Sequence, residues 1–201
     1  MKYNTKWLAA AVAIASGLAI INPAVANTTI NSFDSFTSDA LYGSWSTPAA
    51  TIVSGPTSYM VSSYGWGSNW KYNPVDGSGN ATVQLTVSLS GGPTADGQLG
   101  PVITLVDGDG TRFNYAWYGQ TLGSHVLTMP LDSPTWSDGA GTTPGLDLAT
   151  LTHLHMGLDP GGYADQYTVA WEDLSVIPEP TSLALIALGV AGLSIARRRT
   201  E

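Results

Sequence analysis

Four rings fall within nine positions in the stretch from Tyr59 to Tyr72: Tyr64, Trp66, Trp70 and Tyr72, interleaved with Gly65, Gly67, Ser68 and Asn69. Aromatic faces stack on sugar rings while nearby amides and hydroxyls satisfy the sugar OH groups, so this composition suits a glycan platform. The same rings also serve as core or corner packing in a small β domain. Phe113, Tyr115 and Trp117 share one face of a second candidate strand, and that face is either core or the lining of a groove.

Metal and acid–base chemistry have fewer candidates. His153 and His155 stand two apart, so on a strand both rings leave on the face opposite Leu154, Met156 and Leu158. Zinc needs three or four ligands, and no Cys or His-Glu pattern completes such a set. The pair therefore reads as two half-exposed histidines on a wet face. Asp107-Gly108-Asp109-Gly110 imitates the start of a calcium loop but lacks the later ligands, and reads as a plain turn. The remaining histidine is His125, and there is no Gly-x-Ser-x-Gly elbow and no phosphate-binding glycine loop. Acids that could serve a glycosidase are present, but nothing marks a pair. The expectation is a protein that is not an enzyme.

The elements that must hold these residues have a period of two. In Ala81–Leu89, Val83, Leu85, Val87 and Leu89 face one way and Thr82, Gln84, Thr86 and Ser88 the other. Val102–Val106 and Thr111–Tyr118 read as a hairpin around the Asp-Gly turn. Further strands are expected at 28–33, 50–53, 58–62, 125–129, 152–158 and 167–176, with a single helical turn at 146–151. Gly and Pro clusters such as Gly91-Gly92-Pro93 and Asp159-Pro160-Gly161-Gly162 punctuate them. Many short strands without a repeat imply an all-β fold, one antiparallel sandwich over residues 27–177.

Charge narrows the partners of that domain. Thirteen acids stand against Lys71 and Arg112, a net charge of about −11. Nucleic acid and anionic lipid surfaces need a basic face and are disfavoured. Cysteine is absent, so no disulfide stabilises the fold.

Both ends read as processing signals. Lys2 and Lys6, the apolar run Trp7–Ile21 and the small-residue site Ala24-Val25-Ala26 form a signal peptide over residues 1–26, cleaved by signal peptidase so that the mature chain starts at Asn27. Residues 178–201 hold Pro178-Glu179-Pro180, an apolar run from Leu183 to Ala196 and the cluster Arg197-Arg198-Arg199. The prolines hold Glu179 in extended geometry. From Thr181 to Ala196 a helix would span roughly 24 Å, short for a transmembrane helix. The arginines would stay in the cytoplasm.

This C-terminal pattern resembles the PEP-CTERM sorting signal of Gram-negative bacteria that make exopolysaccharide, over about an eighth of the chain. The resemblance implies that exosortase recognises Pro-Glu-Pro and removes the tail. The protein would then pass through a transient inner-membrane anchor to the cell surface, outer envelope or extracellular matrix. A second resemblance covers most of the domain. It runs from Ile30–Phe36 with Trp45, through the hairpin at 102–118, His125–Leu131 and Leu146–Leu151, to Trp171–Val176. This order is similar to the jelly-roll architecture of galactose-binding-like domains and carbohydrate-binding modules. In such modules a structural calcium lies between the first and last strands, and Asp34 and Asp173 fall at those positions. The resemblances together imply an exported protein of the cell surface or biofilm matrix whose domain binds exopolysaccharide or another glycan. A non-catalytic structural matrix component is the alternative. A polysaccharide-acting enzyme or an ice-binding protein is more distant, the latter because regular Thr-x-Thr ladders are missing.

Overall fold

A computed structural model describes residues 26–139, 141 and 145–178. The leader up to Val25, and Glu179, Pro180, the apolar run and Arg197–Arg199, lie outside the described residues. Among the described residues twelve strands follow one another: β1 (Thr28–Asn31), β2 (Ala40–Gly43), β3 (Thr51–Ser54), β4 (Tyr59–Ser63), β5 (Gly67–Val75), β6 (Thr82–Gly91), β7 (Gly100–Val106), β8 (Arg112–Ala116), β9 (Gly123–Pro130), β10 (Trp136–Asp138), β11 (Leu151–Asp159) and β12 (Tyr167–Ile177). They form two antiparallel sheets packed as a sandwich. The first runs β3-β4-β12-β6-β9, with β1 beside the C-terminal half of β12, and the second runs β10-β8-β7-β11-β5-β2. Among the described residues no helix is long and apolar enough to cross a membrane.

Alternation decides which side of each strand is core. Val83, Leu85, Val87 and Leu89 of β6 are buried to 2% exposure or less, as are Val169, Trp171, Leu174 and Val176 of β12. Facing them from the second sheet are Ile103 and Leu105 of β7, Tyr115 of β8, and Leu154, Met156 and Leu158 of β11. Each fully buried aliphatic side chain contributes about 1.5–3 kcal/mol, and without disulfides this interdigitated layer supplies the stability. Three polar tips inside it are matched, while the Trp171 indole N–H has no hydrogen-bond partner among the described residues. Trp45 donates its indole N–H to the Tyr167 hydroxyl at 2.7 Å, Tyr167 donates to Gly65 O at 2.9 Å, and the Tyr115 hydroxyl donates to Leu131 O at 2.8 Å.

Phe113, Tyr115 and Trp117 are therefore core, at 8% exposure or less. The β7–β8 hairpin closes on the Asp107–Gly110 turn, where Gly110 takes φ +86° and donates to Asp107 O at 3.1 Å. Three expected boundaries differ for local reasons. The first strand stops at Asn31 because its side chain accepts from Phe33 N at 2.8 Å, and Phe33 turns at φ +58° into the core. The turn expected at 146–151 is a 3-10 helix at Leu148–Thr150, capped by Asp147, which accepts from Ala149 N. The segment after Trp66, read by its side chains alone, is the nine-residue strand β5.

Candidate functional site

The outward face of the second sheet gathers side chains that alternate with the core. Register across five strands sets them in rows. One row is Trp70, His155, Thr104, Asn114 and Trp136, on β5, β11, β7, β8 and β10. A second is Tyr72, His153, Val106, Arg112 and Asp138. A third, Ser68, Gly157, Val102 and Ala116, is made of small residues and lies low. At Gly157 a methyl group would come within 3.2 Å of Gly67 O and of Ser68 Cβ, so glycine keeps the floor open.

Beyond the third row stand Trp66, Asp159 and Tyr118. The result is a cavity of about 250 Å³ with Ser68, Thr104, Asn114, His155 and Gly157 in its floor and walls and Trp66, Tyr118 and Trp136 on its rim. These three rings are 53%, 54% and 40% exposed, well above what core packing leaves. A second hollow of about 310 Å³ adjoins it through shared Arg112 and His155, and continues past His153 to Asp107 and Gly108. Sugar-binding sites combine apolar stacking faces with a few fixed polar groups, and this face has both.

The polar groups are held from below. Thr104 donates to Asn114 Oδ1 at 2.6 Å, and the Asn114 amide donates to Trp136 O at 3.4 Å and to Asp138 Oδ2 at 3.5 Å. Arg112 pairs with Asp138 at 3.7 Å. His155 stacks on Trp70 with ring centroids 5.3 Å apart, and His153 meets both Trp70 and Tyr72 edge-on at 4.8 and 5.2 Å. Burial first, then Arg112 and His153, pull the His155 pKa down to about 4, so its ring is neutral at ordinary pH.

The four rings singled out in the sequence thus occupy three kinds of position. Trp66 stands on the rim of the cavity, Trp70 and Tyr72 lie on the same face among the histidines, and Tyr64 projects from the β4–β5 turn, 45% exposed, away from the cavity lining. Tyr118, Trp136, Asn114, Thr104 and Arg112 were not singled out. Their signal was available on β8, where Arg112, Asn114 and Ala116 alternate with the core residues Phe113, Tyr115 and Trp117.

Asp34 and Asp173 sit where β1 leaves β12. Asp34 Oδ2 accepts from Ser32 Oγ at 3.0 Å and Asp173 Oδ2 from Ser175 Oγ at 2.7 Å. Among the described residues no group of three or more His, Asp or Glu is gathered around one point. Two carboxylates alone fall short of the six to eight oxygens calcium takes, so an ion there would draw the rest from backbone carbonyls and water.

Among curated proteins no sequence matches this chain. Solved structures do share its fold. The agarase AgWH50C superposes at a TM-score of 0.53 and 10% identity, covering 78% of this chain and 25% of the agarase. The carbohydrate-binding module CtCBM11, in its solution structure, superposes at 0.53 and 16% identity over 80% of this chain and 99% of the module. The family 11 carbohydrate-binding module from Clostridium thermocellum in complex with a beta-1,3-1,4-mixed-linked tetrasaccharide gives 0.51 and 17% identity over 77% and 97%. At such identities the likeness is one of fold, and the chain spans about a quarter of the agarase's length. The PEP-CTERM protein-sorting motif matches residues 176–199, which marks a secreted protein processed by exosortase through a C-terminal, membrane-anchoring sorting signal.

Proposed function

We propose that this is an exported, non-catalytic glycan-binding protein of the cell surface or exopolysaccharide matrix, and that the outward face of the second sheet is its binding face. The observation that carries the reading is the union of three exposed rings, Trp66, Tyr118 and Trp136, with an open cavity whose floor presents hydroxyl, amide and neutral imidazole groups. The sorting motif and the fold shared with carbohydrate-binding modules support it. No Cys or nucleophile elbow accompanies the face, and of the two carboxylates that line its cavity, Asp138 and Asp159, the first is held in a salt bridge by Arg112. Shallow stacking gives micromolar to millimolar affinity, because each ordered contact offsets part of its own gain.

The test is a glycan array together with a reducing-sugar assay on the exported protein purified from its producing cells. Binding lost in Trp66→Ala and Trp136→Ala, with no new reducing ends, is the expected result. New reducing ends would make it a polysaccharide-acting enzyme instead. Silence in both assays across the host's own exopolysaccharide would leave a structural matrix component.

A further inference from the structure

Asp159, the last residue of β11, pairs with Gly100 of β7, while its neighbour Leu158 pairs with Gly67 of β5. Asp159 therefore lies between the start of β7, at Gly100, and the start of β5, which Trp66 precedes. Tyr118 leans over Gly100: a methyl there would come within 2.9 Å of its Cδ1. Trp66, on the other side, packs its ring over Gly43 and lines the same cavity. One end of the groove is thus a carboxylate flanked by two half-exposed rings.

That carboxylate is not neutralised. The ion pairs among the described residues are Lys71–Asp39 and Arg112–Asp138, which occupy both bases of the domain. The hydrogen bond to Asp159 comes from Gly161 N at 2.8 Å, a turn contact that holds Oδ1 and supplies no charge. A neutral sugar can use this carboxylate between aromatic faces only as an acceptor for its hydroxyls, and an anionic one is repelled by it. An ammonium group uses both features, through charge attraction and through the ring quadrupoles. The field of a domain at about −11 adds in the same direction.

Resting on the glycan-binding reading, we propose that the Trp66–Asp159–Tyr118 end of the groove is a cation subsite, and that the preferred ligand is an amino-sugar polymer with free amines. The experiment uses the exported protein and titrates β-1,4- and β-1,6-linked glucosamine oligomers, each beside its fully N-acetylated counterpart, at pH 5.5. At least one free-amine oligomer should bind ten times or more tighter than its acetylated form. The preference should shrink to within about twofold in 0.5 M NaCl, because exposed charges are screened, and likewise in Asp159→Asn, which keeps the acceptor for Gly161. Arg112→Gln, which frees Asp138, should widen it. If no free-amine form binds more tightly than its acetylated partner, or if Asp159→Asn keeps the preference, the cation subsite is overturned. Uncharged glycans that bind on the array in that case leave the glycan-binding reading standing, and their failure to bind would remove both.

Discussion

The imidazole of His155 lies against the indole of Trp70, planes 30° apart, while His153 closes on the same indole edge-on. Trp70 is thereby committed to the protein. Its replacement by Ala should weaken glycan binding less than Trp66→Ala does, and should lower stability by about 0.5–1.5 kcal/mol through the lost ring contacts. Urea melts beside binding titrations decide this: a Trp70→Ala variant with unchanged stability and fully lost binding would make Trp70 a stacking face after all.

Because the His155 pKa is lowered to about 4 by burial, the unfolded chain takes up a proton there at a higher pH than the folded one does. Folding stability contributed by this residue is complete above about pH 6.5 and is lost as pH falls toward 4, with a slope of at most about 1.4 kcal/mol per unit. His155→Gln should flatten the decline between pH 6.5 and 4. Asp107, whose pKa burial raises, acts in the opposite sense at the acid end and is common to both proteins. Identical slopes would show that His155 titrates normally.

Gly67 faces inward on β5, where any side chain would run into the Trp45 indole. Gly67→Ala should cost about 1–3 kcal/mol by overpacking. Tyr167→Phe should cost about 1–3 kcal/mol, since it strands the buried Trp45 N–H. Both are read by denaturant midpoint, and an unchanged midpoint in either would mean that the core at this end of the sandwich relaxes freely.

Calcium held between Asp34 and Asp173 would stabilise the folded state by mass action. Millimolar calcium should raise the thermal midpoint over that in excess chelator, and Asp34→Ala and Asp173→Ala should each abolish the difference. Superimposable melts with and without the ion exclude a calcium site in the domain.

If exosortase recognises Pro178-Glu179-Pro180, Glu179→Ala should leave an uncleaved form in the membrane fraction. Blots showing normal release of the shortened protein would argue against recognition of Pro-Glu-Pro by exosortase.

Strands that bury Val, Leu and Ile on one side, such as β6 and β11, were legible because alternation is written in their side chains. β5 was not, since its inward positions include Gly67 and Asn69, small and polar where the pattern wants an apolar residue. Each is explained by what it touches: Gly67 makes room for Trp45, and Asn69, fully buried, accepts from Met156 N at 3.3 Å. β2 and β10 are short, solvated edge strands with no such pattern. The site followed the same rule. Trp66 and Trp70 stood out by composition, whereas Trp136, Asn114 and Thr104 became neighbours only through the register of β10, β8 and β7.

Thr28 pairs with Val176, so the chain enters and leaves the fold side by side on the first sheet, while the candidate face belongs to the second. Whatever grips the chain beyond Pro178 pulls on β12 along its length. That strand is flanked by β6 on one side and by β4 and β1 on the other. Tension on the C-terminus therefore loads its ladder bonds together in shear, where a hairpin edge would peel them one at a time. A pull between the second sheet and the C-terminus passes through the middle of the sandwich, and the fold resists opening at its last strand.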